Sequence, residues 1–243
     1  MDSDLEKKAL DQMSVNPLYS AGPSGVSSRY SFEIFARFIE GNSILEMGPA
    51  EGVMTERLVR LGKRLTVVEG ARCFCDDLHR RFPGISVVHA LFEEYEPAAQ
   101  FDNIILGHVL EHVENPAATV RQLSPWLRPG GRVLAAVPNC RSLHRQAAVL
   151  MGLIQREDEL NDLDRHHGHR RVFNPESFRQ CFTQAGLQID VFGGYWIKPL
   201  SNSQIEASWT PAMLDVFMRL GERYPDIAAE IYVVASARPG APP

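Results

Sequence analysis

The chain has 243 residues, of which 44% are hydrophobic, so it can bury one good core, and one large α/β domain is expected rather than two small ones. A net charge of −5 gives no long-range attraction to nucleic acid or to an anionic membrane, which argues against both as partners. No apolar run reaches the roughly 18 residues of a membrane span, and we expect neither a transmembrane helix nor a signal peptide. Four cysteines without a C-x-x-C pair are typical of a reduced, cytoplasmic protein.

Short apolar segments alternate with amphipathic ones as far as residue 138. The expected strands are residues 43–47, 64–69, 85–90, 101–107 and 131–138, and the expected helices are residues 53–62, 72–82 and 116–127. The turn RPGG (128–131) joins the last helix to the last of these strands. This alternation predicts parallel strands with right-handed crossovers and a three-layer α/β sandwich.

The pattern becomes irregular after residue 138. We expect a helix over 142–160, a polar histidine-rich stretch over 162–171, a helix over 175–186, a strand over 187–196, a helix over 211–221 and a strand over 229–237. Two more helices are expected near 3–13 and 28–39. The predicted organisation is a single domain over 1–243, with N-terminal cap helices (1–40), a cofactor-binding core (41–139), a lid insert (140–174) and the rest of the core (175–238).

The segment LEMGPAEG, residues 45–52, ends a strand in an acid and passes through a glycine loop into a helix. Gly48 and Gly52 permit a tight turn and a close approach of the backbone to a ligand, and the helix N-terminus offers unpaired N–H groups. The loop lacks two of the three glycines of G-x-G-x-x-G and has no Walker A lysine. An acid at the end of the next strand, Glu69, suits a ligand with ribose hydroxyls, as in dinucleotide-binding folds.

Taken in order, these segments resemble the class I S-adenosylmethionine-dependent methyltransferases over about residues 40–240. The matching segments are LEMGPAEG (45–52), VVEG (67–70), FDNIILGHVLEHVENP (101–116), LRPGGRVLAAVPN (127–139), FNPESFRQCFTQAGL (173–187) and AEIYVVASA (229–237). The chain is most similar to the small-molecule branch, which includes ubiquinone-biosynthesis O-methyltransferases and enzymes of sugars and natural products. The resemblance implies a Rossmann-like, mostly parallel seven-stranded sheet whose last strand is antiparallel, with N-terminal helices and a lid insert.

The same resemblance implies S-adenosyl-L-methionine as cofactor and assigns its contacts. Glu46 orients the amino end, the backbone from Gly48 to Gly52 passes beneath the methionine portion, and Glu69 binds the ribose. The other implied cofactor contacts are Met47, Pro49, Ala50, Gly70, Leu91, Phe92, Gly107, His108 and Tyr19. The chain departs from the family pattern at Ala50, which replaces the middle glycine, and at Leu91, where many members have Asp. We expect binding to survive both changes, the first because a methyl group is tolerable where φ is negative.

Transfer of a methyl group to a hydroxyl also requires the removal of a proton, a task that suits a histidine. His112 and then His108 are the candidate catalytic residues. A less favoured alternative is a divalent metal held by His108, Glu111 and His112, as the resemblance to the ubiquinone branch implies. These residues also match H-x-x-E-H of zinc peptidases, but that motif needs a helix, and 101–107 reads as a strand.

The predicted acceptor contacts lie in the lid and the N-terminal helices. They are His166, His167, His169 and Arg170 in the lid, and Tyr30 in the second N-terminal helix. Residues 193–209 read as a strand and a long loop, a candidate for a pocket wall or for a homodimer contact. The acceptor is expected to be a small molecule such as a sugar, a nucleotide-linked sugar or a natural-product intermediate, methylated on O or N. The alternatives are an NAD-dependent oxidoreductase or epimerase and a non-catalytic cofactor-binding protein.

Overall fold

The computed structural model describes Lys7, Leu10 and residues 20–238. Within these residues seven strands form one sheet: β1 (Ser43–Met47), β2 (Arg64–Glu69), β3 (Ser86–His89), β4 (Phe101–Gly107), β5 (Leu127–Pro138), β6 (Leu187–Tyr195) and β7 (Glu230–Ala237). The helices are α1 (Gly22–Phe35), α2 (Val53–Val59), α3 (Arg72–Arg81), α4 (Pro116–Leu123), α5 (Leu143–Leu150), α6 (Asp162–His166), α7 (Pro175–Gln184), α8 (Asn202–Ser208) and α9 (Pro211–Gly221).

The strands are arranged in the order β3-β2-β1-β4-β5-β7-β6. The pairs β3–β2, β2–β1, β1–β4 and β4–β5 are parallel, whereas β7 is antiparallel to both β5 and β6. The predicted Rossmann-like sheet with an antiparallel last strand is therefore confirmed. The order reverses between β1 and β4, and open α/β sheets bind ligands at such a switch point, outside the carboxyl ends of the strands.

Helices cover both faces of the sheet, which explains why its central strands β1 and β4 are largely buried. All five residues of β1 are buried, as expected for a parallel strand with a layer on each side. One buried cluster packs against α4 and α7, and the other packs against α1, α2 and α9. None of the helices in the described part of the chain is long and apolar enough to cross a membrane.

The second half of the chain differs from the sequence prediction in several places. The helix expected over 142–160 ends at Leu150, because Gly152 adopts a left-handed φ of 72° and an acidic stretch follows. Two short helices, α6 and α8, replace loops that were expected in the histidine-rich stretch and in residues 193–209. Strand β5 begins at Leu127, so RPGG lies within the strand and not in a turn before it.

The N-terminal elements are described only in part. The helix expected near 28–39 is α1, displaced toward the N-terminus, with a proline at the start of the helix. The helix expected near 3–13 lies outside the described residues apart from Lys7 and Leu10.

Candidate active site

A cavity of about 530 Å³ opens at the switch point, where β1, β2 and β4 end. Most of the predicted cofactor residues line it: Glu46, Met47, Gly48, Pro49, Ala50, Glu69, Gly70, Leu91, Phe92, Gly107 and His108. Gly52 does not line the cavity, and Tyr19 falls outside the described residues. The fold thus brings residues from three strand ends to one cleft.

The glycine loop follows β1 and is held against β2. The Gly48 amide donates to the carbonyl of Val68 at 2.9 Å, and Gly48 has a φ of 63° that favours glycine. Gly52 has a φ of 72°, and a Cβ there would lie 2.7 Å from Cδ2 of Leu78 on α3. Gly52 therefore allows close packing of α2 onto α3, and it does not contact the cavity itself.

Ala50 does not meet the condition that the sequence analysis set for it. Its φ is 46°, so the negative φ expected for it is wrong. The residue adopts a left-handed conformation that costs an L-residue about 1–2 kcal/mol. Its amide donates to Oε2 of Glu69 at 3.0 Å, a hydrogen bond that holds the loop in this conformation. Strain of this kind is concentrated at functional sites, where the surrounding structure can maintain it.

Glu69 binds the glycine loop through one carboxylate oxygen and the start of α3 through the other. Oε1 accepts from the amide of Ala71 at 2.8 Å, and Oε2 accepts from Ala50. Burial raises the pKa of Glu69, although these amide donors lower it in part. Each carboxylate oxygen can accept two hydrogen bonds, so Glu69 has capacity left for ribose hydroxyls.

Glu46 is a carboxylic acid whose surroundings favour the neutral form. Its side chain is 3% exposed, and Oε2 accepts a hydrogen bond from Oγ1 of Thr55 at 2.7 Å. Burial raises the pKa of Glu46 to about 8, the Thr55 bond opposes this, and the charge of Glu69 adds to it. A cationic group in the cavity would stabilise the ionised form, so the site fits a ligand with an ammonium group.

His108 follows β4 in a left-handed conformation with a φ of 59°. Its Nε2 lies 3.1 Å from Oη of Tyr195, and its Nδ1 lies 3.5 Å from Oε1 of Glu111 and 3.8 Å from Oε2 of Glu230. Burial lowers the pKa of His108, but the two carboxylates outweigh burial, and the pKa is raised. The turn therefore presents at the cavity wall an imidazole that readily takes up a proton.

His112 lies in a different environment. Its Nδ1 is 3.3 Å from the carbonyl of Gly168, and its ring packs edge-on against His169 with the centroids 4.9 Å apart. Burial, reinforced by the electrostatic effect of the neighbouring His169, lowers the pKa of His112 to about 4 despite the nearby Glu111. At neutral pH His112 is therefore uncharged and a weaker base than His108.

The remaining predicted substrate residues are divided between the cavity wall and its surroundings. His167 and Arg170 line the cavity, whereas Tyr30, His166 and His169 do not. The hydroxyl of Tyr30 donates to Glu222, and its ring packs on Tyr195. These contacts hold Tyr30 within the core.

His169 supports the cavity from behind, because it connects His112 to the base of the lid. Its Nδ1 lies 3.3 Å from Oδ1 of Asp164, and Asp164 also accepts from Arg145 at 3.0 Å. Arg145 is 5% exposed and donates to two lid carbonyls, those of Glu157 and Glu159. A continuous set of buried contacts thus joins α5, α6 and the loop that carries the lid histidines.

The predicted alternative metal set is not the group of residues that the fold assembles. In the part of the chain that the structure describes, the ligand atoms that all lie within 4.8 Å of one another belong to Glu111, His112 and His169. His108 is outside this group and contacts Glu111 from another direction. Among the described residues, Glu111 has no hydrogen bond to its buried carboxylate oxygens and lies 3.5 Å from Nδ1 of His108. His112 and His169 contact Gly168 and Asp164, and no step proposed below uses a metal.

Several residues of the site were missed by sequence reasoning. Ser28, Ser31 and Met54 line the cavity. Tyr195 and Glu230 contact His108 from β6 and β7. One signal was available, because Glu230 is a lone acid at the start of an otherwise apolar strand, and a buried acid of this kind usually has a specific partner.

This sheet order, with an acid at the end of β1, a glycine loop and an acid at the end of β2, defines the class I S-adenosylmethionine-dependent methyltransferases. The family described as "Methyltransferase domain" matches residues 27–190. The chain belongs to this family, which removes the oxidoreductase alternative.

Individual relatives are consistent with this assignment. The ubiquinone biosynthesis O-methyltransferase of Aeromonas salmonicida is 27% identical over 169 residues, which cover 67% of this chain and 69% of the relative. The enzyme of that name from Methylocella silvestris is 32% identical over 177 residues, or 66% of each chain. Among solved structures, the N-methyltransferase NodS from Bradyrhizobium japonicum, in complex with S-adenosyl-L-homocysteine, superposes with a TM-score of 0.62 at 14% identity over 96% of this chain and 98% of NodS.

Proposed function

We propose that the protein transfers a methyl group from S-adenosylmethionine to an oxygen or nitrogen atom of a small molecule. The observation that carries this is His108, whose imidazole lies at the cavity wall with buried carboxylates behind it. Relatives named for ubiquinone biosynthesis support a small acceptor, and a sugar, a nucleotide-linked sugar or a natural-product intermediate is the proposed class. A cytoplasmic location and a homodimer remain predictions.

When bound, S-adenosylmethionine supplies a methyl group that its sulfonium already activates, so the protein has to align the reactants and exclude water. Glu46 is proposed to accept from the ammonium group, since it is a buried carboxylate at the end of β1. Glu69 is proposed to accept from the ribose hydroxyls with its remaining lone pairs. Leu91 and Phe92 are proposed to flank the adenine.

His108 is proposed as the proton acceptor when the methylated atom carries a hydrogen. Glu111 and Glu230 stabilise the imidazolium that forms, and the Tyr195 hydroxyl, at 3.1 Å, orients the ring. A general base works best when its pKa lies near the working pH. The pKa of His108 is raised, whereas that of His112 is lowered to about 4, so His108 is the stronger base of the two.

The acceptor is proposed to lie between α1 and the lid. Ser28 and Ser31 line the cavity on one side, and His112, His167 and Arg170 line it on the other. A neutral His112 can exchange hydrogen bonds with an acceptor hydroxyl or amine without repelling the positive charge of the cofactor. We therefore place His112 as an acceptor contact.

The proposal is tested first by calorimetry with S-adenosylhomocysteine. Micromolar binding is expected, and failure to bind at millimolar concentration would overturn the function. The second test is turnover with a panel of hydroxyl- and amine-bearing acceptors. His108→Asn should lower turnover about 100-fold or more, because general-base catalysis contributes that much, while the S-adenosylhomocysteine affinity stays within a few-fold.

His112→Asn and His79→Asn are the comparison variants. His79 is an exposed histidine on α3, and its replacement should leave both quantities unchanged. His112→Asn should raise the acceptor KM more than it lowers kcat, because the residue is assigned to acceptor binding. Full turnover in His108→Asn together with a large loss in His112→Asn would reverse the two roles.

A further inference from the structure

A second cleft, of about 580 Å³, lies beside the cofactor cavity and is formed by α1, α2, α3 and adjoining residues. The proposed methyl transfer does not use it. Its charged lining consists of Arg29, Glu51, Glu56, Arg57, Arg60, Asp77 and Arg81. Four arginines against three acids are unusual in a chain whose net charge is −5. We call it the arginine cleft.

Two of these arginines are already paired within the lining. Nη2 of Arg60 lies 2.5 Å from Glu56, and Nη1 of Arg81 lies 3.0 Å from Asp77. Asp77 also accepts from Arg80, one residue before Arg81 on α3. The acids Glu56 and Asp77 are therefore neutralised by these partners, and with Glu51 as the third acid the lining keeps an excess of one positive charge.

Arg29 and Arg57 are the two arginines of the lining that do not take part in these ion pairs. Neither has a carboxylate partner among the described residues, and both are only partly exposed. The guanidinium of Arg57 lies 5.9 Å from the centre of the Phe32 ring, which holds it by a cation–π contact. A guanidinium fixed in this way presents a planar set of donors that matches phosphate or carboxylate oxygens.

The arginine cleft is adjacent to the cofactor cavity. Glu51, Val53 and Phe74 line both spaces. On α1, Ser28 lines the cavity and the next residue, Arg29, lines the cleft. A molecule on the α1 side of the cavity would therefore lie next to the cleft that Arg29 and Arg57 line.

We propose that the arginine cleft binds an anionic group of the acceptor, a phosphate or a carboxylate, through Arg29 and Arg57. The inference rests on the proposed function, since it places the uncharged part of the acceptor beside Ser28 and Ser31. The same oxyanion chemistry would also serve a free inorganic anion bound as a regulator. The experiment therefore has to separate these two sources.

The test uses the full chain saturated with S-adenosylhomocysteine. Inorganic pyrophosphate is titrated while the arginine Nε–H signals are followed by NMR, with calorimetry for affinity. The signals of Arg29 and Arg57 should shift, and Arg29→Gln or Arg57→Gln should weaken binding about tenfold or more. Arg219→Gln, on the exposed side of α9 and paired with Asp215, is the matched control and should change nothing.

The second arm replaces pyrophosphate with uridine diphosphate, whose organic part can reach the cavity. If the cleft serves the acceptor, uridine diphosphate competes with pyrophosphate and also shifts the imidazole signals of His108. Pyrophosphate binding with no change at His108 in the second arm would indicate a free-anion site and overturn the assignment to the acceptor. Equal binding in wild type, Arg29→Gln and Arg57→Gln would overturn the cleft itself.

S-adenosylhomocysteine binding is measured in the same samples. If S-adenosylhomocysteine does not bind, the proposed function is overturned. If it binds but pyrophosphate does not, only the assignment of the arginine cleft as an anion site is overturned. Arg29 and Arg57 lie on helix surfaces and are partly exposed, so their replacement by glutamine should leave the fold intact. Unfolding by urea verifies this for each variant.

Discussion

The raised pKa of Glu46 predicts that cofactor binding releases a proton. With a pKa of about 8, Glu46 is protonated in about nine molecules out of ten at pH 7. An ammonium group beside it favours the ionised form, and the proton leaves when the ligand binds. Binding of S-adenosylhomocysteine at pH 7 should therefore release about 0.9 proton.

The same linkage sets the pH dependence of affinity. Because the free site must first lose its proton, the Kd should fall about ninefold from pH 6 to 7 and about fivefold more from pH 7 to 8, provided that the bound carboxyl has a pKa below 6. Above pH 8 the effect levels off, since Glu46 is then already ionised. The direction is fixed by the sign of the shift: a carboxyl with a pKa raised in the free site binds a cation better as the pH rises.

Calorimetry in two buffers of different ionisation enthalpy measures the released proton directly. Glu46→Gln should abolish most of the release and flatten the pH dependence between 6 and 8. Glu93→Gln removes an exposed acid from the same cavity wall and should leave both unchanged. Release of less than about 0.3 proton by the wild type, or equal release by Glu46→Gln, would contradict the placement of Glu46 beside the ammonium group.

Two stability predictions follow from the packing of the loop and the lid. Gly52→Ala should cost about 2–4 kcal/mol in urea unfolding, because it combines left-handed strain with a Cβ contact of 2.7 Å to a neighbouring side chain. Gly62→Ala is the control, because Gly62 has a φ of 65° with open space around it, and it should cost only the backbone strain, about 1–2 kcal/mol. An equal cost for Gly52→Ala and Gly62→Ala would mean that the close contact at residue 52 is relieved by a shift of its neighbours. Arg145→Met should cost about 3 kcal/mol, since it removes the guanidinium that pairs with the buried Asp164 carboxylate and that donates to two lid carbonyls, whereas Arg156→Met, in an exposed ion pair, should show no measurable change in the same assay.

The elements of the fold were predictable where the pattern is local. β1, β2 and β4 have the bounds that the sequence indicated, because each is a short segment with an apolar run and is followed by a turn. The helix expected over 142–160 illustrates the limit. Its apolar spacing continues past Leu150, but the chain turns at Gly152, and a single glycine at a left-handed φ decides where the helix ends.

The site was predictable where its residues are neighbours in sequence, and less so where they converge from afar. Glu46, the glycine loop and Glu69 belong to consecutive β–α units, so one motif indicates all of them. The environment of His108 depends instead on Tyr195 and Glu230, which are 87 and 122 positions away in the chain. Only the pairing of β6 and β7 with the sheet brings them to the end of β4. The sequence analysis ranked His112 before His108 as the catalytic candidate, and the proposed function reverses that order because of these distant contacts.

The buried acids of the site share one physical explanation. Glu46, Glu69, Glu111 and Glu230 are all at most 9% exposed, and burying a carboxylate is costly unless a cation or donors compensate. His108 compensates Glu111, whose pKa is lowered, but the pKa values of the other three are raised. Burial therefore disfavours the ionised forms of Glu46, Glu69 and Glu230, and positive charge that enters the cavity favours the ionised form of Glu46. A ligand with both a sulfonium and an ammonium group supplies that charge, so at the same free concentration S-adenosylmethionine should stabilise the folded protein against heat more than neutral adenosine does.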